Sequence, residues 1–319
     1  MKLLVTGGAG FIGSHIVEGL LKRRDVTGVR VLDNLSTGYL KNIEAFKEDD
    51  RFEFIEGDIR SVADCTKAAT GMDMISHQAA LGSVPRSIKD PATTHDVNVN
   101  GFLNILDAAR GGGIKKMTYA SSSSVYGDLP DSPKVETKTG RVLSPYAAGK
   151  MANELYAEAY ARQYGIQLVG FRYFNVFGPR QDPNGAYAAV IPLFVKAALE
   201  GKAPVINGDG SITRDFTYVE NVVNANLNAL FEFEQPGTHE VFNIACGQTT
   251  SLNELWRLIC KLCEIEIQPI YGPVRNGDIL QSLAEISKAK MKLKYTILKT
   301  LEQGIEQTIN WSHAIQVKS

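Results

Sequence analysis

Short apolar runs alternate with helical segments through the first half of the chain. Runs at 2–5, 29–32, 52–56, 74–77, 116–120 and 167–171 are short and apolar, the pattern of strands buried on both faces. Between them, residues 11–21 repeat apolar positions at close to 3.6-residue spacing. The stretches 94–110 and 145–164 do the same over longer spans. Strand–helix alternation of this kind predicts an α/β fold, a doubly wound parallel sheet with helices on both faces. After about residue 175 the rhythm loosens. Gly178, Pro179, Pro183, Gly185, Gly208 and Gly210 break it, and helices are predicted near 190–200 and 252–263. We expect a first domain over 1–174 and a second, smaller α/β domain from 175–214 and 246–319. Residues 215–245 are expected to return to the first, because a helix at 219–230 is apolar enough to cover a sheet.

Composition narrows the partners. The 319 residues carry a net charge of −1, with 44% hydrophobic and 22% charged residues. No basic excess marks a nucleic-acid footprint. No apolar run reaches the roughly 18–20 residues of a membrane span. The opening residues read directly as a strand, so a signal peptide is not expected. Cys65, Cys246, Cys260 and Cys263 make no disulfide framework, which suits the cytoplasm. Cys260 and Cys263 are spaced C-x-x-C but lie within a helical pattern without a second ligand pair, so no metal is expected.

Two constellations carry chemistry. Gly7, Gly10 and Gly13 form G-x-x-G-x-x-G between the first strand and first helix. That motif combines a tight turn, close backbone approach to a pyrophosphate and close helix–strand packing, at a helix N-terminus that favours anions. Asp33 follows Gly13 by 20 residues, at the end of the second strand, where a carboxylate can bond ribose hydroxyls. It would repel a 2′-phosphate, and no arginine occupies 32–36, so NAD is expected rather than NADP. The second constellation is Tyr146-Ala147-Ala148-Gly149-Lys150, whose tyrosine and lysine share one helix face. A free phenol has a pKa near ~10. A neighbouring ammonium and a positive nicotinamide favour phenolate, which fits Tyr146 as a base removing a hydroxyl proton while hydride leaves the same carbon. Ser121-Ser122-Ser123-Ser124 closes the preceding strand, where parallel sheets bind ligands.

With these elements in this order, the chain resembles the extended short-chain dehydrogenases/reductases, and within them the UDP-sugar 4-epimerases. Asp58-Ile59, His77-Gln78-Ala79-Ala80, Asn98-Val99-Asn100-Gly101, Ser122 through Gly127, Arg172-Tyr173-Phe174-Asn175 and Gly208 through Phe216 carry the resemblance. It implies cofactor contacts from Gly7, Gly10, Phe11, Ile12, Gly13, Asp33, Asn34, Ser36, Thr37, Gly38, Asp58, Ile59, Gln78, Ala79, Ala80, Asn98, Tyr146, Lys150 and Tyr173. It assigns catalysis to Tyr146 and Lys150 with Ser122, or Ser123 as second choice. It gives substrate contacts to Gly82, Ser83, Ser122, Ser123, Tyr146, Asn175, Gln181, Ala189, Val190, Arg214, Arg275, Asp278 and Ser282. A homodimer through helices near 98–110 and 145–164 is implied as well.

The stretches Ala80 through Ser87 and Asn175 through Gln181, with Asn184 through Val190, are similar to the group acting on N-acetylated sugars in O-antigen precursor synthesis. In that family a residue at the place of Ser282 gates the pocket around sugar C2; a tyrosine crowds an N-acetyl group and a small residue admits it. The implied reaction is NAD-dependent interconversion of UDP-N-acetylglucosamine and UDP-N-acetylgalactosamine through a 4-keto sugar, with UDP-glucose/UDP-galactose as a second activity. UDP-uronic acid epimerisation stays open. So does another nucleotide-sugar oxidoreductase or dehydratase reaction, although Ser122, Ser123 and Ser124 stand where a dehydratase carries an Asp–Glu pair. A non-catalytic NAD sensor is the reading from a different class.

Overall fold

The computed structural model describes residues 1–185, 188–274 and 281–316. Strands β1 (Lys2–Thr6), β2 (Gly28–Asp33), β3 (Phe52–Glu56), β4 (Met74–His77), β5 (Lys116–Ser122) and β6 (Gln167–Tyr173) are joined by a late strand, His239–Ile244. They form one seven-stranded sheet in the order β3-β2-β1-β4-β5-β6 and then His239–Ile244. Every pairing is parallel. A parallel sheet with both faces covered needs strands that are apolar on both sides; β6 is buried at every position. The direction of winding reverses between β1 and β4, which leaves a crevice beyond the carboxyl ends of the strands.

One face packs Cys65, Phe102, Ile105, Ala157 and Ala161 onto Leu4, Ile75, Met117 and Leu168. The other packs Ile16, Val17 and Leu20 of α1 (Phe11–Leu21), with Val223 and Leu230, onto Leu3, Val5, Val29 and Val31. Val223 and Leu230 belong to helix Val219–Phe231, so both this helix and strand His239–Ile244 lie on the central sheet. A separate core joins helices Val190–Leu199, Leu252–Cys263 and Leu301–Gln316 around Phe194, Trp256 and Ile305. Ser251 and Glu254 start the middle helix with a reciprocal capping box. Among the described residues no helix is long and apolar enough to cross a membrane.

The long helix expected over 94–110 is broken. It is helix Pro91–His95, then a π turn at Asp96–Asn100, then helix Gly101–Gly111. The cause is tertiary. The Asn98 side chain accepts from Leu81 N at 2.8 Å and donates to Leu81 O at 3.1 Å, while its own carbonyl accepts from Asn153 Nδ2 at 2.8 Å. A π turn releases a carbonyl from the helical ladder, and here a side chain of the neighbouring helix takes it up.

A small sheet pairs Thr213–Arg214 with Thr250–Ser251 on one side and Gln281–Ser282 on the other. Ser282 is thereby in register with Arg214. Asp215, fully buried, ties the surrounding loops together by accepting from Cys246 N and Gly247 N, both at 2.9 Å. Burial pushes its carboxyl up to about 6.

Candidate active site

A cleft of about 670 Å³ runs along the carboxyl ends of β1, β2, β4, β5 and β6. At its floor β1 turns into α1. Gly7 has φ +69°, and a Cβ there would lie 2.6 Å from Ala79 N; a Cβ on Gly13 would lie 2.1 Å from Gly7 O. Only glycine permits both approaches. Gly10 caps α1 without a side-chain hydrogen bond, and no acidic residue occupies the first turn. The bare amides of that turn fit a pyrophosphate.

Asp33 is 8% exposed and lines the cleft. It accepts from Ala9 N at 3.0 Å and Leu35 N at 2.8 Å. Burial pushes its carboxyl up, and the two backbone donors oppose that. A carboxylate offers about four lone-pair sites, so acceptor capacity remains for ribose hydroxyls. Asn34, Ser36, Thr37, Phe11, Ile12 and Ile59 line the same end, and Gln78, Ala79 and Ala80 the middle. Gly38, Asp58 and Asn98 are not among the lining residues. Asp58 receives the Arg60 fork and Asn34 Nδ2, and the Arg60 guanidinium holds its carboxyl down at about 2. Asn98 fixes the loop at Leu81.

The reacting end is built on helix Pro145–Tyr164. Ser144 caps it by accepting from Ala147 N, and Pro145 occupies its first turn. Tyr146 therefore stands at the positive end of the helix dipole. Burial pushes its phenol up and a hydrogen bond with Ser122 draws it back. Lys150, 3% exposed, donates to Ala120 O at 2.7 Å, with Nζ 6.0 Å from the Tyr146 ring centre. Burial lowers its ammonium to about 8. His77, fully enclosed, is driven down to about 3 by burial and then by Lys150, so it is neutral. The serines divide their work. Ser121 donates to Glu154 Oε1 at 2.6 Å, Ser122 meets both Tyr146 and Ser124 Oγ, and Ser123 lines the cleft.

Lys150 yields a stability prediction. An unfolded lysine titrates near ~10.4. The folded value of about 8 is lower, so the charge costs stability below pH ~8, and the cost fades as pH rises toward ~10.4. Lys150→Met is expected to be more stable than the native protein at pH 7 by about 1–3 kcal/mol, after the lost bond to Ala120 O is counted. Thermal melts at pH 7 and pH 9.5 check this: the margin shrinks at the higher pH, while turnover is lost at both.

Gly82, Ser83, Asn175, Gln181 and Ala189 line the opposite wall. Asn175 adopts φ +37° and donates to Asp215 O at 3.0 Å. Val190, Arg214 and Ser282 do not line the cleft as defined by the described residues. Arg275 and Asp278 lie outside those residues. Tyr39, Arg86, Ser124 and Asp182 also line the cleft and carry no assignment from sequence. Tyr39 Oη donates to Asp182 Oδ2 at 2.7 Å, closing one end between segments 143 residues apart. Nothing local signals that pair. Arg86 lies within the stretch that carries the family resemblance and could have been singled out as a cation beside the sugar wall.

A family profile described as "NAD dependent epimerase/dehydratase family" matches residues 3–245. The putative UDP-glucose 4-epimerase of Methanocaldococcus jannaschii is 39% identical over 311 residues, 97% of each chain. A UDP-N-acetylglucosamine 4-epimerase from Methanobrevibacter ruminantium, solved with UDP-N-acetylmuramic acid, is 39% identical with a TM-score of 0.92 over 98% of each chain. A UDP-glucuronic acid 4-epimerase from Bacillus cereus, solved with UDP-glucuronic acid and NAD, is 32% identical with a TM-score of 0.90 over 99% of this chain and 100% of that one. The chain belongs to the NAD-dependent epimerase/dehydratase family of extended short-chain dehydrogenases/reductases, and it groups there with the UDP-sugar 4-epimerases.

Proposed function

We propose that the protein interconverts UDP-N-acetylglucosamine and UDP-N-acetylgalactosamine by oxidation and reduction at sugar C4, with UDP-glucose/UDP-galactose as a second activity. The observation that carries this is the Tyr146–Ser122 hydrogen bond with Lys150 buried behind it, at the end of a strand that closes on Ser121 and Ser122. Bound NAD supplies the hydride acceptor and donor. Tyr146 Oη takes the 4-hydroxyl proton and returns it, and Ser122 holds that hydroxyl. Lys150 favours phenolate through its charge. Arg214, with Arg275, holds the diphosphate while the 4-keto sugar turns over, since guanidinium forks suit phosphate. Ser122, Ser123 and Ser124 stand where a dehydratase carries the Asp–Glu pair that removes a C5 proton, which favours reversal of the oxidation over elimination.

The preference for an N-acetyl sugar rests on Ser282 and on the N-acetylglucosamine epimerase with the same fold. Purified protein given UDP-GlcNAc, followed by NMR of the sugar ring protons, should yield UDP-GalNAc without added cofactor. No conversion of any UDP-sugar, even with NAD supplied, would sink the reading in favour of the sensor. Ser282→Tyr should slow UDP-GlcNAc at least about tenfold and spare UDP-glucose, the scale of one steric clash in a pocket. A uronic acid substrate is the second reading. It is favoured by the relative solved with UDP-glucuronic acid and by the cation of Arg86 on the cleft wall. Faster turnover of UDP-glucuronic acid than UDP-GlcNAc would select it.

We also propose a homodimer. Helix Pro145–Tyr164 leaves Leu155 67% and Tyr156 41% exposed, apolar surface that a second copy would cover. Leu155→Glu is expected to elute as a monomer in size-exclusion chromatography where the native chain elutes as a dimer.

A further inference from the structure

Helix Val219–Phe231 covers the sheet with Val222, Ala225 and Ala229, yet its centre holds an asparagine. Asn226 is fully buried. Burying an amide in such a place is costly unless every polar atom is satisfied. Here all are. Nδ2 donates to Tyr173 Oη and to Val222 O, both at 2.9 Å. Oδ1 accepts from Thr118 Oγ1 at 3.1 Å, Gln78 Nε2 at 3.3 Å and Ser76 Oγ at 3.4 Å. Tyr173 Oη donates in turn to Gln78 Oε1 at 3.3 Å. Asn226, Gln78 and Tyr173 thus close a ring of hydrogen bonds beneath the cleft, tied to β4, β5 and β6 at once.

Gln78 and Tyr173 line the cleft; Asn226 does not. Each has rotamer freedom that the ring removes. Asn226 Oδ1 accepts from the Gln78 amide on one side and its Nδ2 donates to the Tyr173 oxygen on the other. That leaves one orientation of each that satisfies all three. We propose that Asn226 is a positioning residue for the cofactor: it locks Gln78 and Tyr173 in the arrangement that holds NAD in the cleft. The inference rests on the reading of Gln78 and Tyr173 as cofactor contacts. If the ring is opened, the cofactor is held loosely. NAD then leaves more readily, and some oxidised sugar departs before the hydride returns, leaving NADH behind.

The test compares two asparagines of the same helix. Asn221 is also fully buried. It is bonded to Leu298 N at 2.8 Å, Lys299 N at 3.1 Å and Lys299 O at 2.9 Å, and to neither Gln78 nor Tyr173. Asn226→Ala and Asn221→Ala should both lower the melting temperature. Only Asn226→Ala should bind NAD at least about tenfold more weakly by equilibrium dialysis, the scale of two lost hydrogen bonds. Only Asn226→Ala should build up NADH fluorescence on addition of UDP-GlcNAc or UDP-glucose, and its KM for the sugar nucleotide at saturating NAD should stay near the native value. Should Asn226→Ala not fold, Asn226→Asp keeps the volume and acceptors, loses the donor to Tyr173 and serves the same comparison. Equal NAD affinity and equal NADH yield in the Asn226 and Asn221 variants would overturn the proposal. Gln78→Ala and Tyr173→Phe separate the two levels. If they bind NAD as the native protein does, the cofactor reading of those side chains falls and takes the inference with it. If they weaken NAD while Asn226→Ala does not, only the inference falls.

Discussion

Tyr146→Phe is expected to lower kcat by about three orders of magnitude while NAD stays bound. General acid–base catalysis by a placed side chain contributes about 10²–10⁴-fold, and here one oxygen both removes and returns the proton. The substitution keeps the ring and the helix start set by Ser144 and Pro145, and it deletes only the oxygen and its bond to Ser122. The fold should therefore be unaffected, and the loss should fall on kcat rather than on the KM for the UDP-sugar. The native enzyme should also lose activity on the alkaline side. Lys150 gives up its charge at about 8, and the phenolate then loses its neighbouring ammonium. Initial rates of both proteins between pH 6 and 10 check this. A Tyr146→Phe rate within tenfold of the native rate would remove the tyrosine from the proposed chemistry.

Glu154→Ala should be the most destabilising single change on the catalytic helix. Glu154 and Arg172 form a forked ion pair whose side chains are only 8% and 5% exposed. The carboxylate accepts from Arg172 Nη2 at 2.7 Å and Nε at 3.0 Å, and from Ser121 Oγ at 2.6 Å. Removing it leaves a buried guanidinium with one backbone acceptor, Glu136 O at 3.1 Å. Breaking a buried pair from one side costs about 3–5 kcal/mol. Replacing both partners with apolar groups is often close to neutral. Calorimetry should therefore show a large fall in melting temperature for Glu154→Ala and recovery of most of it in the double variant Glu154→Leu/Arg172→Met. Activity should stay low in the double variant, because Ser121 loses its anchor one residue from Ser122. A double variant no more stable than the single one would show that the pair is not the source of the loss.

The parts legible in the sequence are those encoded by local spacing. Gly7 and Gly13 must be glycine because the turn, the helix start and Ala79 crowd one another within a few ångströms. Tyr146 and Lys150 meet because four residues make about one helical turn. The apolar runs announced six of the seven strands of the sheet. What escaped depends on distant partners. The π turn at Asp96–Asn100 needs Leu81 and Asn153, neither visible in the periodicity of 94–110. The fork from Arg60 to Asp58 and the bond from Asn34 join side chains whose pairing the spacing of the strands does not announce. The Tyr39–Asp182 contact and the Asn226 ring join residues that sequence spacing does not associate. Arg214 and Ser282 are brought into register only by strand pairing.

The late arrival of helix Val219–Phe231 and strand His239–Ile244 on the central sheet bears on how the chain is made. A nascent chain that has reached residue 174 already holds β1 to β6, but the outer edge of β6 has no partner and the apolar face destined for that helix is bare. Unpaired apolar edges recruit other chains. Helix Val190–Leu199 of the second core is translated before the first can close, so the two halves mature together rather than in sequence. A fragment cut near residue 175 to isolate the cofactor half would carry the glycine turn and Tyr146 intact and still lack a finished sheet. Such a fragment is a candidate for complementation by the remaining chain rather than an independent module.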